Sequence, residues 1–194
     1  MKTAFFDIDT QLDFMLPAGA LYVPGAERLI PAITRLNTHA VARRFPLVSS
    51  TDAHAEDDPE FRTWPPHCVA GTHGQKKVPA TLLEKTAVVP CRAAPLAIEG
   101  APQIIVEKQT LAVFSNPNIQ ELLVRLAAEA YVVYGVVTEY CVGMAALSLL
   151  ETGKPVWLVT DAIQTLKQED SERTLAEFTA HGGRLTTLSE VLSQ

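Results

Sequence analysis

Short, nearly continuous apolar runs occur at Thr3–Ile8, Pro46–Ser50, Ile104–Glu107, Tyr131–Val136, Val156–Val159 and Arg184–Thr187. Runs of this length bounded by turn residues predict strands buried on both faces. Between them the apolar positions change to helical spacing. Leu29, Ile30, Ile33, Leu36 and Val41 mark one face of a helix within Glu27–Arg44. Asn116-Pro117 reads as an N-cap with proline at the first helical position, opening a helix to Glu129. Glu139–Glu151 and Gln168–Ala180 are the other two helices, the second closed by Gly182-Gly183. Ser189–Leu192 forms a last turn, and the stretch from 52 to 102 is irregular and proline-rich. Alternating strands and helices predict an α/β fold: a three-layer α/β/α domain over residues 1–194 with a six-stranded, mostly parallel sheet. Val142, Met144, Ala145, Ala146, Leu147, Leu149 and Leu150 leave one helix almost no polar face, so it should lie buried against the sheet.

Composition narrows the function. Sixteen Lys+Arg against 22 Asp+Glu give a net charge of −6, which disfavours nucleic acid as a partner. Apolar residues make up 47% and charged residues 20%, enough to build a core and too apolar for a disordered chain. No apolar run approaches the ~20 residues of a membrane helix. Asp7 and Asp9 interrupt the first apolar segment, unlike a secretory leader. Three cysteines, Cys68, Cys91 and Cys141, form no disulfide framework and point to a reducing, cytoplasmic setting. A homo-oligomer is expected, because α/β sheets with exposed apolar helices often pair.

In open α/β sheets the ligand sits beyond the carboxyl ends of the strands. Asp9 follows the first predicted strand, Asp52 and His54 the second, Lys108 the third, Thr138, Glu139 and Cys141 the fourth, and Asp161 the fifth. An acid, a lysine and a cysteine on one rim would make a base, an electrostatic helper and a nucleophile. Thr138 as N-cap would place Cys141 in the first turn of the buried helix, where the dipole favours a thiolate. A buried cysteine at such a corner is as often a packing residue. A second cluster runs from Asp52-Ala53-His54 through Glu56, Asp57, Asp58 and Glu60 to Trp64-Pro65-Pro66-His67-Cys68. Asp-x-His presents both ligand types on one side of an extended segment, and the loop could close a divalent metal site. His54 and His67 are its strongest members, with Glu60 and Glu56 competing for a further place. Such ligands suit zinc, iron and manganese alike, and zinc is the first expectation.

Three motifs, in order, resemble the nicotinamidase/isochorismatase-like cysteine hydrolases over nearly the whole chain. They are Ile8-Asp9-Thr10-Gln11-Leu12-Asp13-Phe14, Val106-Glu107-Lys108, and Gly135-Val136-Val137-Thr138-Glu139-Tyr140-Cys141-Val142. The Asp52-x-His54 and Trp64-Pro65-Pro66-His67 pair is similar to the metal site of the nicotinamidase branch, where Glu60 stands in the stretch that often supplies a further ligand. The resemblance implies a catalytic set of Asp9, Lys108 and Cys141, and one divalent metal on Asp52, His54, Glu60 and His67. It also implies Phe14 and Trp64 against a pyridine ring, and a cis peptide between Val137 and Thr138 that turns the Val137 and Cys141 N–H groups into an oxyanion hole. The implied activity is hydrolysis of a small amide, nicotinamide to nicotinate and ammonia, serving NAD salvage. The alternatives are an amidase for another small amide or ureido compound, and a non-hydrolytic thiol redox protein; no Cys-x-x-Cys supports the latter.

Overall fold

In the computed structural model, which describes residues 1–193, seven strands form one sheet. They are β1 (Thr3–Ile8), β2 (Leu47–Asp52), β3 (Thr86–Val89), β4 (Gln103–Lys108), β5 (Ala130–Val136), β6 (Val156–Gln164) and β7 (Arg184–Thr186). The spatial order is β3-β4-β2-β1-β5-β6-β7, and every pairing is parallel. Helices are α1 (Leu12–Met15), a single turn, then α2 (Ile30–Ala42), α3 (Ile119–Leu126), α4 (Gly143–Leu150), α5 (Gln168–Ala180) and α6 (Leu188–Leu192).

Strand periodicity sorts the core into two. Ala4, Phe6 and Ile8 of β1 pack with Val133 of β5 against α3, α4 and α5. Phe5 of β1 and Val132 and Tyr134 of β5 pack on the other face with Ile33, Leu36 and Ala40 of α2 and Val191 of α6. The three-layer α/β/α reading is therefore correct, and the buried helix is α4.

The strand count is corrected from six to seven. β3 lies inside the stretch read as irregular, at the sheet edge. Its four residues alternate exposed and buried, with Ala87 and Val89 inward. So short an edge strand among prolines leaves little periodicity to read. The α3 boundaries also differ. Asn116 spends its side chain on Pro90 O, Glu107 O and the Asn118 N–H, and the helix begins at Ile119. It ends at Leu126, three residues before Glu129, because Ala127 turns left-handed (φ 47°).

Two features at the carboxyl ends of the central strands set up the site. Gly135 (φ +121°) runs so close to β1 that an added Cβ would lie 2.1 Å from the Ile8 carbonyl oxygen. After it, Thr138–Val142 forms an irregular turn in which Tyr140 leaves the helical region (φ −121°, ψ −107°). Cys141 thus stands in this turn ahead of α4, not in the first turn of a regular helix as the spacing suggested. The cis peptide is Val136–Val137, one bond earlier than Val137–Thr138.

Candidate active site

β4, β2, β1 and β5 are neighbours, so their carboxyl ends bring Lys108, Asp52, Asp9 and Cys141 together. Lys108 is fully buried at the centre. Its Nζ lies 2.9 Å from Asp9 Oδ2 and 3.6 Å from Cys141 Sγ, and it donates to Asp52 Oδ1. Asp9 takes a left-handed turn (φ 49°), and its Oδ1 accepts a 2.6 Å hydrogen bond from Ser50 Oγ. Asp9 Oδ2 has no aligned hydrogen bond despite the nearby ammonium.

One ammonium faces two carboxylates and a thiol. Burial raises the Asp9 pKa; Lys108 opposes this and the charge of Asp52 adds to it, leaving it above the ordinary carboxylate value. Burial would also raise Asp52, but Lys108 and His54 outweigh it and hold Asp52 below. Burial alone would lower Lys108; Asp52, Asp9 and Cys141 instead push it well above the usual ammonium range. Burial drives the Cys141 thiol well above the ordinary range, with Lys108 opposing and Asp9 adding. Burial thus works against the pull toward a thiolate expected from the helix dipole. Cys141 lies between the Lys108 ammonium and the Asp9 carboxylate, whose proton affinity burial has raised.

Beside this group, Asp52, His54 and His67 offer ligand atoms all within 4.8 Å of one another, and all three residues are buried. His54 Nε2 and His67 Nε2 lie 3.7 and 3.9 Å from Asp52 Oδ2. Each ring is turned by its other nitrogen: His54 Nδ1 meets Asp58 Oδ2 at 2.9 Å and His67 Nδ1 meets Pro65 O at 2.8 Å. With Nδ1–H donating, each Nε2 presents a lone pair inward. The buried His54 Nε2 has no hydrogen-bond partner, as a metal-ligating nitrogen requires. The residues present therefore fit a divalent metal. Glu60 Oε1 reaches to 4.0 Å from His67 Nε2 and lines the cavity, whereas Glu56 is exposed. Burial opposes the charge on His54, but Asp52 and Asp58 outweigh it and raise its pKa to about 8. Asp58, which also caps the Glu60 N–H at 2.9 Å, was not singled out in the sequence as an orienting residue.

A cavity open to solvent joins the two groups. Asp9, Cys141, Asp52, His67 and Glu60 supply its polar wall, and Phe14, Val23, Leu111, Val137 and Leu166 much of its apolar wall. Trp64 and Tyr140 meet edge to face at 5.6 Å between ring centroids, and Phe14 tilts against His67 at 5.3 Å. Val137 and Cys141, the residues expected to donate to an oxyanion, both border this space. Tyr140 was missed; only its place beside the cysteine hints at it.

Other residues singled out serve the scaffold. Gln11 clasps the Asp52 backbone, accepting from its N–H at 2.7 Å and donating to its C=O at 2.8 Å. Asp13 Oδ2 accepts from Cys68 N–H at 2.7 Å. Thr138 Oγ1 donates to Gln164 O, and Glu139 accepts from the Leu166 and Lys167 N–H groups. Asp161 accepts from Leu188 N–H at the start of α6, and Cys68 is core.

The isochorismatase domain family matches residues 3–190, so the chain belongs to that family and is an isochorismatase-family hydrolase. Among curated relatives it is 25% identical to the nicotinamidase of Escherichia coli, covering 94% of this chain and 93% of that one. It is 28% identical to the isochorismatase family protein PncA of Bacillus subtilis, over 92% and 94% of the two chains. Among solved structures, the pyrazinamidase of Pyrococcus horikoshii in complex with zinc superposes with a TM-score of 0.81 at 27% identity, over 96% and 99% of the chains. No helix of the described residues is long and apolar enough to cross a membrane.

Proposed function

We propose that this protein is a nicotinamidase, hydrolysing nicotinamide to nicotinate and ammonia through a thioester on Cys141. The single observation that carries the reading is Lys108 Nζ within 2.9 Å of Asp9 and 3.6 Å of Cys141 Sγ, next to a buried Asp-His-His set. The nicotinamidase and zinc-bound pyrazinamidase among its relatives support it.

Asp9 takes the thiol proton as Cys141 Sγ attacks the amide carbonyl. Its raised pKa suits it to accept that proton. Lys108 offsets the charge that moves from Asp9 to sulfur and back. The Val137 and Cys141 N–H groups are assigned to the carbonyl oxygen as it gains charge, a contribution of about 3–4 kcal/mol. Collapse expels ammonia, protonated from Asp9. Asp9 then accepts a proton from the water that opens the thioester, which frees the acid and restores the thiol. A divalent metal, zinc first, bound by Asp52, His54, His67 and Glu60 would supply a Lewis-acid contact to a ring nitrogen. Phe14 and Trp64 border the space for the ring.

The test is ammonia release from nicotinamide and benzamide in competition. Strong preference for nicotinamide is expected, because a site built around a polar contact rejects the analogue that lacks it. Comparable kcat/KM for the two would replace the reading with a general small-amide hydrolase, and no ammonia from either would overturn it.

A further inference from the structure

A second buried ion pair lies outside the site. Lys77 and Asp7 are both buried, with Lys77 Nζ 2.9 Å from Asp7 Oδ2. Lys77 also donates to Thr10 Oγ1, and Asp7 accepts from Thr10 Oγ1 at 2.8 Å and from Asn37 Nδ2 at 2.9 Å. Lys77 arrives from a loop 70 residues further along the chain, yet it is sunk against the central strand. A buried ion pair is a poor source of stability, because desolvation of both charges offsets their attraction. Its use is better sought in what it fixes in place.

The segment around Lys77 lies along residues 10–13. Gln11 and Lys77 form an antiparallel bridge, Val78 N–H donates to Thr10 O at 3.0 Å, and Leu12 N–H donates to Lys76 O at 2.9 Å. Gln11 holds Asp52 by both sides of its peptide and spends its remaining amide hydrogen on Gln75 O at 2.7 Å. Asp13 holds the Cys68 N–H next to His67. Gly74 packs so tightly on Asp13 that an added Cβ would lie 2.1 Å from its Oδ2. Two metal-site residues, Asp52 and His67, thus hang on Gln11 and Asp13, and both of these lean on residues 74–78.

We propose that the Lys77–Asp7 pair is a positioning clamp: it locks residues 74–78 onto residues 10–13 and so fixes Asp52 and His67 in the geometry that binds metal. Lys77 touches neither substrate nor metal and acts through Gln11 and Asp13. The proposal rests on the metal half of the function proposed above and is independent of which amide is hydrolysed.

Zinc affinity, measured by competition with a chromophoric chelator, tests it without any turnover. The variants are Lys77→Met, the milder Thr10→Val, and Asp7→Leu/Lys77→Met, which leaves no unpaired charge. Folding is checked by circular dichroism and thermal midpoint. Folded Lys77→Met should bind zinc about tenfold more weakly, the lower end of what partners of metal ligands contribute. Thr10→Val should weaken it less. The double variant should recover the thermal midpoint lost in Lys77→Met without recovering zinc affinity. If Lys77→Met does not fold, the double variant and Thr10→Val decide. Folded variants with lowered midpoints but wild-type zinc affinity would show a structural pair only and overturn the clamp. A wild-type protein that binds no zinc would defeat the metal site and the clamp together. Zinc binding without nicotinamide turnover would defeat only the substrate assignment.

Discussion

Two buried lysines meet aspartates that leave the same strand two positions apart, and the two clusters are built in opposite ways. At Lys77, Asp7 is ringed by neutral donors from Thr10 and Asn37, and Asn37 is fixed in turn by the Tyr134 hydroxyl at 2.6 Å. At Lys108, two carboxylates and a thiol share one ammonium, and Asp9 Oδ2 and His54 Nε2 have no hydrogen-bond partner. Buried polar groups are ordinarily satisfied, and the exceptions call for a reason. In the Lys77 cluster no buried polar atom is without a partner, and the cluster holds residues 74–78 against residues 10–13. The Lys108 cluster keeps capacity in reserve at Asp9 Oδ2 and His54 Nε2, which the proposed function assigns to the transferred proton and to the metal.

The sharpest way to break this contrast is at the thiol. Cys141→Ala should lower kcat by about 10⁴-fold or more while the thermal midpoint holds, since alanine suits the buried turn. A variant retaining substantial ammonia release would remove Cys141 as nucleophile. Next come the two aspartates. Asp9→Asn should cost about 10²–10⁴-fold in kcat/KM, the scale of general-base loss, without lowering stability. Asp7→Asn should instead lower unfolding free energy by about 3–5 kcal/mol, because it strands a buried ammonium. Chemical denaturation of the pair, alongside kinetics, should show these losses falling on different axes. Equal destabilisation by both would erase the distinction.

A pH profile sharpens the comparison. Asp9 must be ionised to accept the thiol proton, and its pKa is raised. So kcat/KM should fall as pH is lowered through a midpoint above the ordinary aspartate value, and rise as pH climbs past it. An acid limb at or below that value would count against Asp9 as the base. The smallest effect is expected at the cavity wall. Trp64→Ala should raise KM roughly two- to tenfold with little change in kcat, the scale of one aromatic contact made in ground and transition state alike.

The sequence made the polar rim legible because reactive residues sit at strand ends, and strand ends can be read from apolar runs. Asp9, Asp52, Lys108 and Cys141 lie together for that reason, and His54 and His67 follow from the Asp-x-His pattern and the Trp-Pro-Pro-His loop. What stayed hidden depends on contacts distant along the chain. Nothing in the sequence sets Lys77 apart until the fold brings it to Asp7. Asp58 looks like one acid among several until His54 turns toward it. β3 hides because one exposed edge and four residues give no usable period, and the turn at Tyr140 hides because helix-compatible residues on both sides mask one non-helical residue.

The close crossing at Gly135 bears on how this chain can vary. Substitutions at the apolar cavity wall are open to drift or to directed selection wherever the side chain faces the open space. Gly135 is different: a single methyl there meets the Ile8 carbonyl, one residue ahead of Asp9 and six residues before Cys141. A library that explores new substrates has more room at Leu111 and Leu166 on the cavity wall. It will find position 135 closed, because a side chain there would push β5 away from β1, and Asp9 and Cys141 follow those two strands.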